Sequence, residues 1–347
     1  MYSFSIDRGG TFCDIFCELP DKSTIETKLL SVDPTNYDDA PTEGIRRILR
    51  SHEPASSDLY QPRALVDGRK IKSIRMGTTV ATNALLERHG DRCGLLITKG
   101  FRNLLEIGNQ SRPNIFDLKT EKNHQLYEAV FEIDERVMLH SSSTSSSDNN
   151  DFISDNRQEI IPTTTGEKVQ VLLPLDKDSA RKSLETMFKS GIKSVAICLI
   201  HSYLYPTHEL EIGEMAKDIG FEQISLSHQV MKMQKMVPRG STSVASAYLT
   251  PTIQRYLTSF QKGFVQGSLE NCDLLFMRSD GGLTTFSDFG GHVVILSGPA
   301  GGVVGYAKTA FRSSPSISAP LPVIGFDMGG TSTDVSRYGG SLEHVFE

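Results

Sequence analysis

Apolar and polar residues alternate from Tyr2 to Ile6, from Phe12 to Leu19 and from Thr24 to Leu30, the period of strands with one buried face. Pro20-Asp21-Lys22-Ser23 separates the last two as a tight turn, so the chain opens as a β-meander. Thr42 to Ser51 changes to helical spacing. Lys70 to Arg75 returns to a strand that runs into Gly77-Thr78-Thr79 and an amphipathic helix reaching Arg88. Cys93 to Thr98 reads as a strand, with a helix from about Phe101. Helices over Asp176 to Ser190 and Glu209 to Ile219 then alternate with strands over Ser194 to Leu199 and Gln223 to Ser227, a compact α/β unit closing near Val237 to Gly240. Ser241 to Lys262 reads as one or two helices, interrupted at Thr250-Pro251. Asp273 to Met277 and Val293 to Leu296 are expected to be strands, the second feeding Ser297-Gly298-Pro299-Ala300-Gly301-Gly302 and a helix through Phe311. Val323 to Phe326 is a further strand, and Val335 to Phe346 reads as a hairpin about Gly339-Gly340.

Two turns that follow strands carry the same wording. Asp7-Arg8-Gly9-Gly10-Thr11-Phe12-Cys13-Asp14-Ile15 returns as Asp327-Met328-Gly329-Gly330-Thr331-Ser332-Thr333-Asp334-Val335. A single Gly-Gly-Thr is an ordinary hairpin turn. Two in one register, each after a strand, point to a paired clamp whose bare backbone N–H groups grip an anion. Asp7 and Asp327, which open the copies, can hold Mg²⁺ directly or through water. Asp14 and Asp334 close them and are expected to cap the turns through backbone N–H groups. The Gly298 to Gly302 cluster at a helix start fits anion binding and close helix packing equally well.

Composition narrows the field. The chain of 347 residues is mildly acidic, with a formal net charge of −6 and no basic stripe, so nucleic acid is not an expected partner. The longest apolar run, Val195 to Ile200, is far too short to span a membrane, and the first residues lack a secretory leader's layout. Cys13, Cys17, Cys93, Cys198 and Cys272 are scattered without a metal-ligand spacing and read as reduced thiols of a cytosolic protein. Ser141 to Asp151 is a polar run expected to be a solvated loop.

A meander carrying D-x-G-G-T in two copies is the layout of the actin-like (ribonuclease H-like) ATPases, an α/β architecture with strand-turn-strand phosphate loops. The wording narrows this further. Phe4 to Phe12, Arg75 to Arg88, Phe276 to Leu283, Ser297 to Tyr306 and Gly325 to Tyr338 together resemble the hydantoinase A/oxoprolinase family. The stretch Asp33 to Leu49 is similar to its eukaryotic members that act on 5-oxo-L-proline. The resemblance implies a domain boundary near residue 238, with an N-terminal family domain over 1–238 (141–165 a flexible loop) and an incomplete ATPase domain over 239–347, its second lobe truncated. It implies opening of the lactam of 5-oxo-L-proline to L-glutamate, coupled to ATP hydrolysis, in the cytosol within glutathione turnover. ATP, Mg²⁺ and K⁺ are the implied cofactors. The implied partners are 5-oxoproline, a missing C-terminal half and, at full length, a second copy of the protein. A carboxylase subunit or sugar kinase of the same architecture, and an inactive ATP-binding fragment or pseudoenzyme, are the alternatives.

The implied site follows from the two copies. Gly9, Gly10 and Thr11, with Gly329, Gly330, Thr331, Ser332 and Thr333, would cradle phosphate oxygens, while Asp7 and Asp327 act as catalytic carboxylates orienting the metal. Cys13 stands where the family has threonine, a weaker donor expected to lower phosphate affinity. Thr78, Thr79 and Asn83, and Arg278, Ser279 and Asp280, are candidates for the cleft, although the threonines serve equally as a helix cap with core packing. His89, His201 and His292 are expected to be structural.

Overall fold

The structure is a computed structural model and describes residues 1–53, 60–109, 116, 124–140, 160–163, 165–311, 321–330 and 332–342. Thr331, the polar run from Ser141 to Asp151 and the distal arm expected after Leu342 lie outside them. In chain order come β1 (Tyr2–Arg8), β2 (Phe12–Glu18), β3 (Thr24–Leu30), α1 (Ala40–His52), β4 (Ile71–Thr78), α2 (Val80–Leu86), β5 (Cys93–Thr98) and α3 (Leu104–Ile107). Next are β6 (Ala129–Ile133), β7 (Arg136–His140), β8 (Ile160–Pro162), β9 (Lys168–Leu173), α4 (Lys177–Lys189), β10 (Ser194–Cys198), α5 (Thr207–Ile219), β11 (Gln223–Leu226) and α6 (Ser227–Val230). The chain continues with α7 (Met236–Lys262), β12 (Asp273–Met277), β13 (Leu283–Thr284), α8 (Ser297–Thr309), β14 (Val323–Met328) and β15 (Thr333–Tyr338). By contacts, Met1–Gly90 and Thr252–Glu347 form one unit and Asp91–Pro251 another.

In the first unit a six-stranded sheet runs β13-β12-β4-β1-β2-β3. The alternation sends Phe4, Ile6, Ile15, Ile74 and Met76 to one face, where α1 and the end of α7 bury them with Ile45, Leu49, Ile253, Leu257 and Phe260. Ser5, Asp7, Asp14, Phe16, Glu26, Lys28 and Arg75 stand on the other face. Helix α1 approaches the sheet closely because Gly44 lacks a side chain: a Cβ there would lie 1.9 Å from Ile15 Cδ1. Asp39 caps α1 by accepting the Thr42 N–H at 2.9 Å, and Pro41 suits its first turn. The same unit holds β14 and β15 as a two-stranded antiparallel hairpin, against which α8 packs through a Tyr306–Ser336 hydroxyl contact of 2.8 Å.

In the second unit β11-β10-β5-β6 make a parallel sheet, and the strands β5 and β10 are buried at every position, as a sheet covered on both faces requires. A small antiparallel sheet, β7-β9-β8, completes it. Within the stretch 141–165 expected to be a flexible loop, the apolar pair Ile160-Ile161 belongs to β8, which pairs with β9 near a turn with Gly166 at φ +87°. A polar network fills the core beside β10. Glu209, fully buried, accepts from the Leu199 N–H at 2.8 Å and the Ser227 hydroxyl at 2.5 Å with one oxygen, and from the His228 ring at 2.6 Å with the other. Arg239, also fully buried, donates to Leu199 O at 2.8 Å and to the Ser202 and Ser227 hydroxyls.

Two expected boundaries differ. Pro251 does not interrupt α7, which is one helix of 27 residues. Proline removes the N–H that would reach Ala247 O, and the Ser194 hydroxyl from β10 donates to that carbonyl instead. Val293 to Leu296 is not a strand: Gly291–Val293 forms a 3₁₀ turn, and the place beside β12 is taken by β13.

Candidate functional site: two equivalent turns around one cavity

The described residues of the two copies pair in the same register. In β1–β2 Asp7 pairs with Asp14 and Arg8 with Cys13; in β14–β15 Asp327 pairs with Asp334 and Met328 with Thr333. Each connection is closed by one backbone bond of 2.9 Å, Gly9 N–H to Phe12 O and Gly329 N–H to Ser332 O. Those two donors are thus consumed by the turns and are not available to a ligand, which corrects the expectation for Gly9 and Gly329. Gly10, Thr11 and Gly330 keep N–H groups without a partner among the described residues.

The turns meet. A Cβ on Gly330 would lie 2.2 Å from Thr11 Oγ1, so the absence of a side chain there leaves the Thr11 hydroxyl its place. Together they line a cavity of about 310 Å³ with Asp7, Gly9, Gly10, Thr11, Asp327, Gly329, Gly330 and Ser332 on its walls. Asp14, Asp334, Thr79, Asn83, Gly298 and Pro299 complete it, together with Lys28, Phe12 and Met328. Burial pushes the Asp7 carboxyl above the usual carboxylate range, and the negative charges of Asp14 and Asp327 push it further. Such crowding of carboxylates is the condition a bound cation relieves.

Other candidates sort by the pleat. Cys13 is fully buried in the core and faces away from the cavity, one step out of phase with Asp14, so its thiol does not stand in for a phosphate donor. Thr333 occupies the matching position and does not line the cavity either. Asp14 and Asp334 do not cap backbone; Asp14 takes the Lys28 ammonium at 2.8 and 3.0 Å, and Asp334 takes the Ser332 hydroxyl at 3.2 Å. Thr78 is fully buried, its backbone N–H donating to the Ser297 hydroxyl at 3.3 Å, and Ser297 in turn donates to Thr78 O at 2.5 Å. That pair anchors the start of α8 beside β4, and Thr79 and Asn83 rather than Thr78 reach the cavity. Arg278 and Asp280 pair with each other at 3.0 Å and stand outside it, and the Ser279 hydroxyl oxygen accepts the Leu296 N–H at 3.0 Å. Burial raises the Cys13, Cys17, Cys93 and Cys198 thiols to about 12, and Cys272 to about 11. All five are free cysteines, and Cys13, Cys17, Cys93 and Cys198 are buried. Lys28 is the wall residue that the sequence did not single out; only the β2–β3 register, which sets it opposite Asp14, reveals it.

The model of the hydantoinase/oxoprolinase N-terminal region matches residues 3–220, and that of the hydantoinase/oxoprolinase domain matches residues 239–347. The chain belongs to the hydantoinase/oxoprolinase family. It is 52% identical over 353 residues to the 5-oxoprolinase of Dictyostelium discoideum, a match covering 99% of this chain and 27% of that protein. The chain thus spans about a quarter of the length of the curated relatives it matches. In fold it is similar to nucleotide-free acetone carboxylase (TM-score 0.68, 19% identity, covering 98% of this chain and 44% of that one). The ATP-dependent caprolactamase of Pseudomonas jessenii is equally similar (TM-score 0.68, 23% identity, covering 96% and 43%). The architecture is accordingly mixed α/β with several sheets, shared with these two proteins. No helix among the described residues is long and apolar enough to cross a membrane.

Proposed function

We propose that this chain is the nucleotide-binding part of an ATP-dependent 5-oxoprolinase, which opens 5-oxo-L-proline with water to L-glutamate while ATP becomes ADP and phosphate. The observation that carries the proposal is the meeting of two hairpins of the same register, each bearing the D-x-G-G-T wording, around one cavity, the arrangement expected of an actin-like ATPase. The relative that is 52% identical is named for this reaction. A lactam carbonyl is a poor electrophile, and coupling to phosphoryl transfer overcomes this by positioning and charge neutralisation. Gly10, Thr11 and Gly330 would supply backbone donors to phosphate oxygens, with the hydroxyls of Thr11, Ser332 and Thr79 beside them. Thr331 belongs to the same set by sequence.

Asp7 and Asp327 suit Mg²⁺, which takes one or two carboxylates and completes its shell with water and phosphate oxygens. When bound, the ion would neutralise developing phosphate charge. K⁺ dependence, a cytosolic site of action and pairing of two full-length copies belong to the same reading, as does the division into family domains near residue 238. The shortness of the chain against its relatives favours a second reading for the piece alone, nucleotide binding without turnover. The test is glutamate release from 5-oxoproline with ATP, by this chain and by the full-length protein carrying it. Turnover is expected only at full length and is abolished by Asp7→Asn. Full activity of that variant refutes the assignment.

A further inference from the structure

A second cavity adjoins the first on the same sheet face. It measures about 670 Å³ and shares Asp7, Asp14, Lys28 and Gly298 with the turn cavity. Its other walls are mostly apolar, with Phe16, Met277 and Leu283 prominent. Gly77, in register with Asp7, lines this second cavity.

Two cations reach this space, and they differ. Lys28 is held by Asp14 at 2.8 Å. Arg75 projects from β4 and makes no ion pair or hydrogen bond among the described residues. The register fixes its place. Arg75 pairs with Ser5 on β1, and Gly77 pairs with Asp7, so Arg75 stands one pleat repeat from the Asp7 row. That repeat is about 6.6 Å along the strand, so the guanidinium and the Asp7 carboxyl rise from neighbouring rows of one face. Glu26, the carboxylate in Arg75's own row, lies across Ser5 and Phe16, three strand spacings or about 14 Å away, too far to neutralise the guanidinium. An unpaired guanidinium facing an apolar cavity is a ready fork for a carboxylate.

We propose that this cavity is the acceptor pocket and that Arg75 selects cyclic amides bearing a carboxylate, clamping that group so that the ring carbonyl faces Asp7 and the phosphate cradle. The inference rests on the function proposed above and assigns the residue that sets its substrate class. Phe16, Met277 and Leu283 would contact the ring methylenes.

The test is calorimetric titration of the chain, with and without a non-hydrolysable ATP analogue and Mg²⁺, using 5-oxo-L-proline, 2-pyrrolidinone and 5-(aminomethyl)-2-pyrrolidinone. The wild type is expected to prefer the acid over 2-pyrrolidinone by about 10- to 100-fold, the range of one charge-assisted bond pair. Arg75→Met removes that preference while analogue affinity is unchanged, and Arg75→Glu turns it toward the aminomethyl lactam, a gain that a misfolded variant cannot produce. Preference retained in Arg75→Met, or absent from a wild type that binds the analogue, overturns the proposal. A wild type that binds the acidic lactam selectively but no nucleotide overturns the phosphate cradle instead and leaves the pocket standing.

Discussion

Replacing Gly330 by alanine puts a methyl carbon 2.2 Å from Thr11 Oγ1, well inside contact distance. The methyl cannot retreat, because its position is set by the backbone of the second turn, but the Thr11 hydroxyl can rotate to another χ1 well. The fold therefore survives, and the hydroxyl leaves the cavity wall. If that hydroxyl donates to a phosphate oxygen, its loss removes a charge-assisted bond of about 1.5–3 kcal/mol, or roughly a 10- to 150-fold rise in nucleotide Kd. A double-mutant cycle isolates the cause. Thr11→Ala alone should weaken binding by a similar factor, and Gly330→Ala in that background should add nothing, because the group it displaces is already gone. Isothermal titration with an ATP analogue and Mg²⁺ measures all four corners. Additive losses would refute the reasoning, because they would mean that the methyl acts on the ligand directly and not through Thr11.

The remaining predictions concern charge. Asp7→Asn should raise the thermal midpoint of the ligand-free chain at neutral pH, since burial and the charges of Asp14 and Asp327 penalise the ionised form. A carboxyl raised in the folded state favours folding when protonated and loses that contribution as pH rises through its folded pKa, so the gain from Asn should fade as pH falls toward the ordinary value of 3.8. A gain that persists in acid would contradict the electrostatic cause. Arg239→Met should destabilise the second unit by about 3–5 kcal/mol in urea unfolding, because it leaves Glu209 buried without its cation; a cost below about 1 kcal/mol would mean that His228 and Ser227 suffice.

Much of the first unit was legible because its strands bury one face each, so the two-residue period and the D-x-G-G-T wording fall in one frame. The same frame contains the answer for Cys13: if Asp14 faces the cavity, its neighbour must face the core. What stayed hidden depends on partners remote in sequence. The use of the Gly9 and Gly329 donors is decided by carbonyls across the turn, and Lys28 enters only through its register with Asp14. The continuity of α7 past Pro251 rests on the Ser194 hydroxyl, from a strand more than fifty residues earlier. Arg75 lies inside a motif in the sequence, and its lack of a counter-charge among the described residues is visible only in three dimensions.

Since the two hairpins share one register, a linear polyanion lodged between them, as proposed, would meet similar backbone donors from left and right. The turns by themselves cannot tell its head from its tail. That distinction falls to the unpaired surroundings, Lys28, Thr79, Asn83 and the Gly298-Pro299 helix start, which flank the first turn and have no counterpart beside the second among the described residues. Directionality is thereby a property of the frame, and exchanging the two turn sequences should leave it intact.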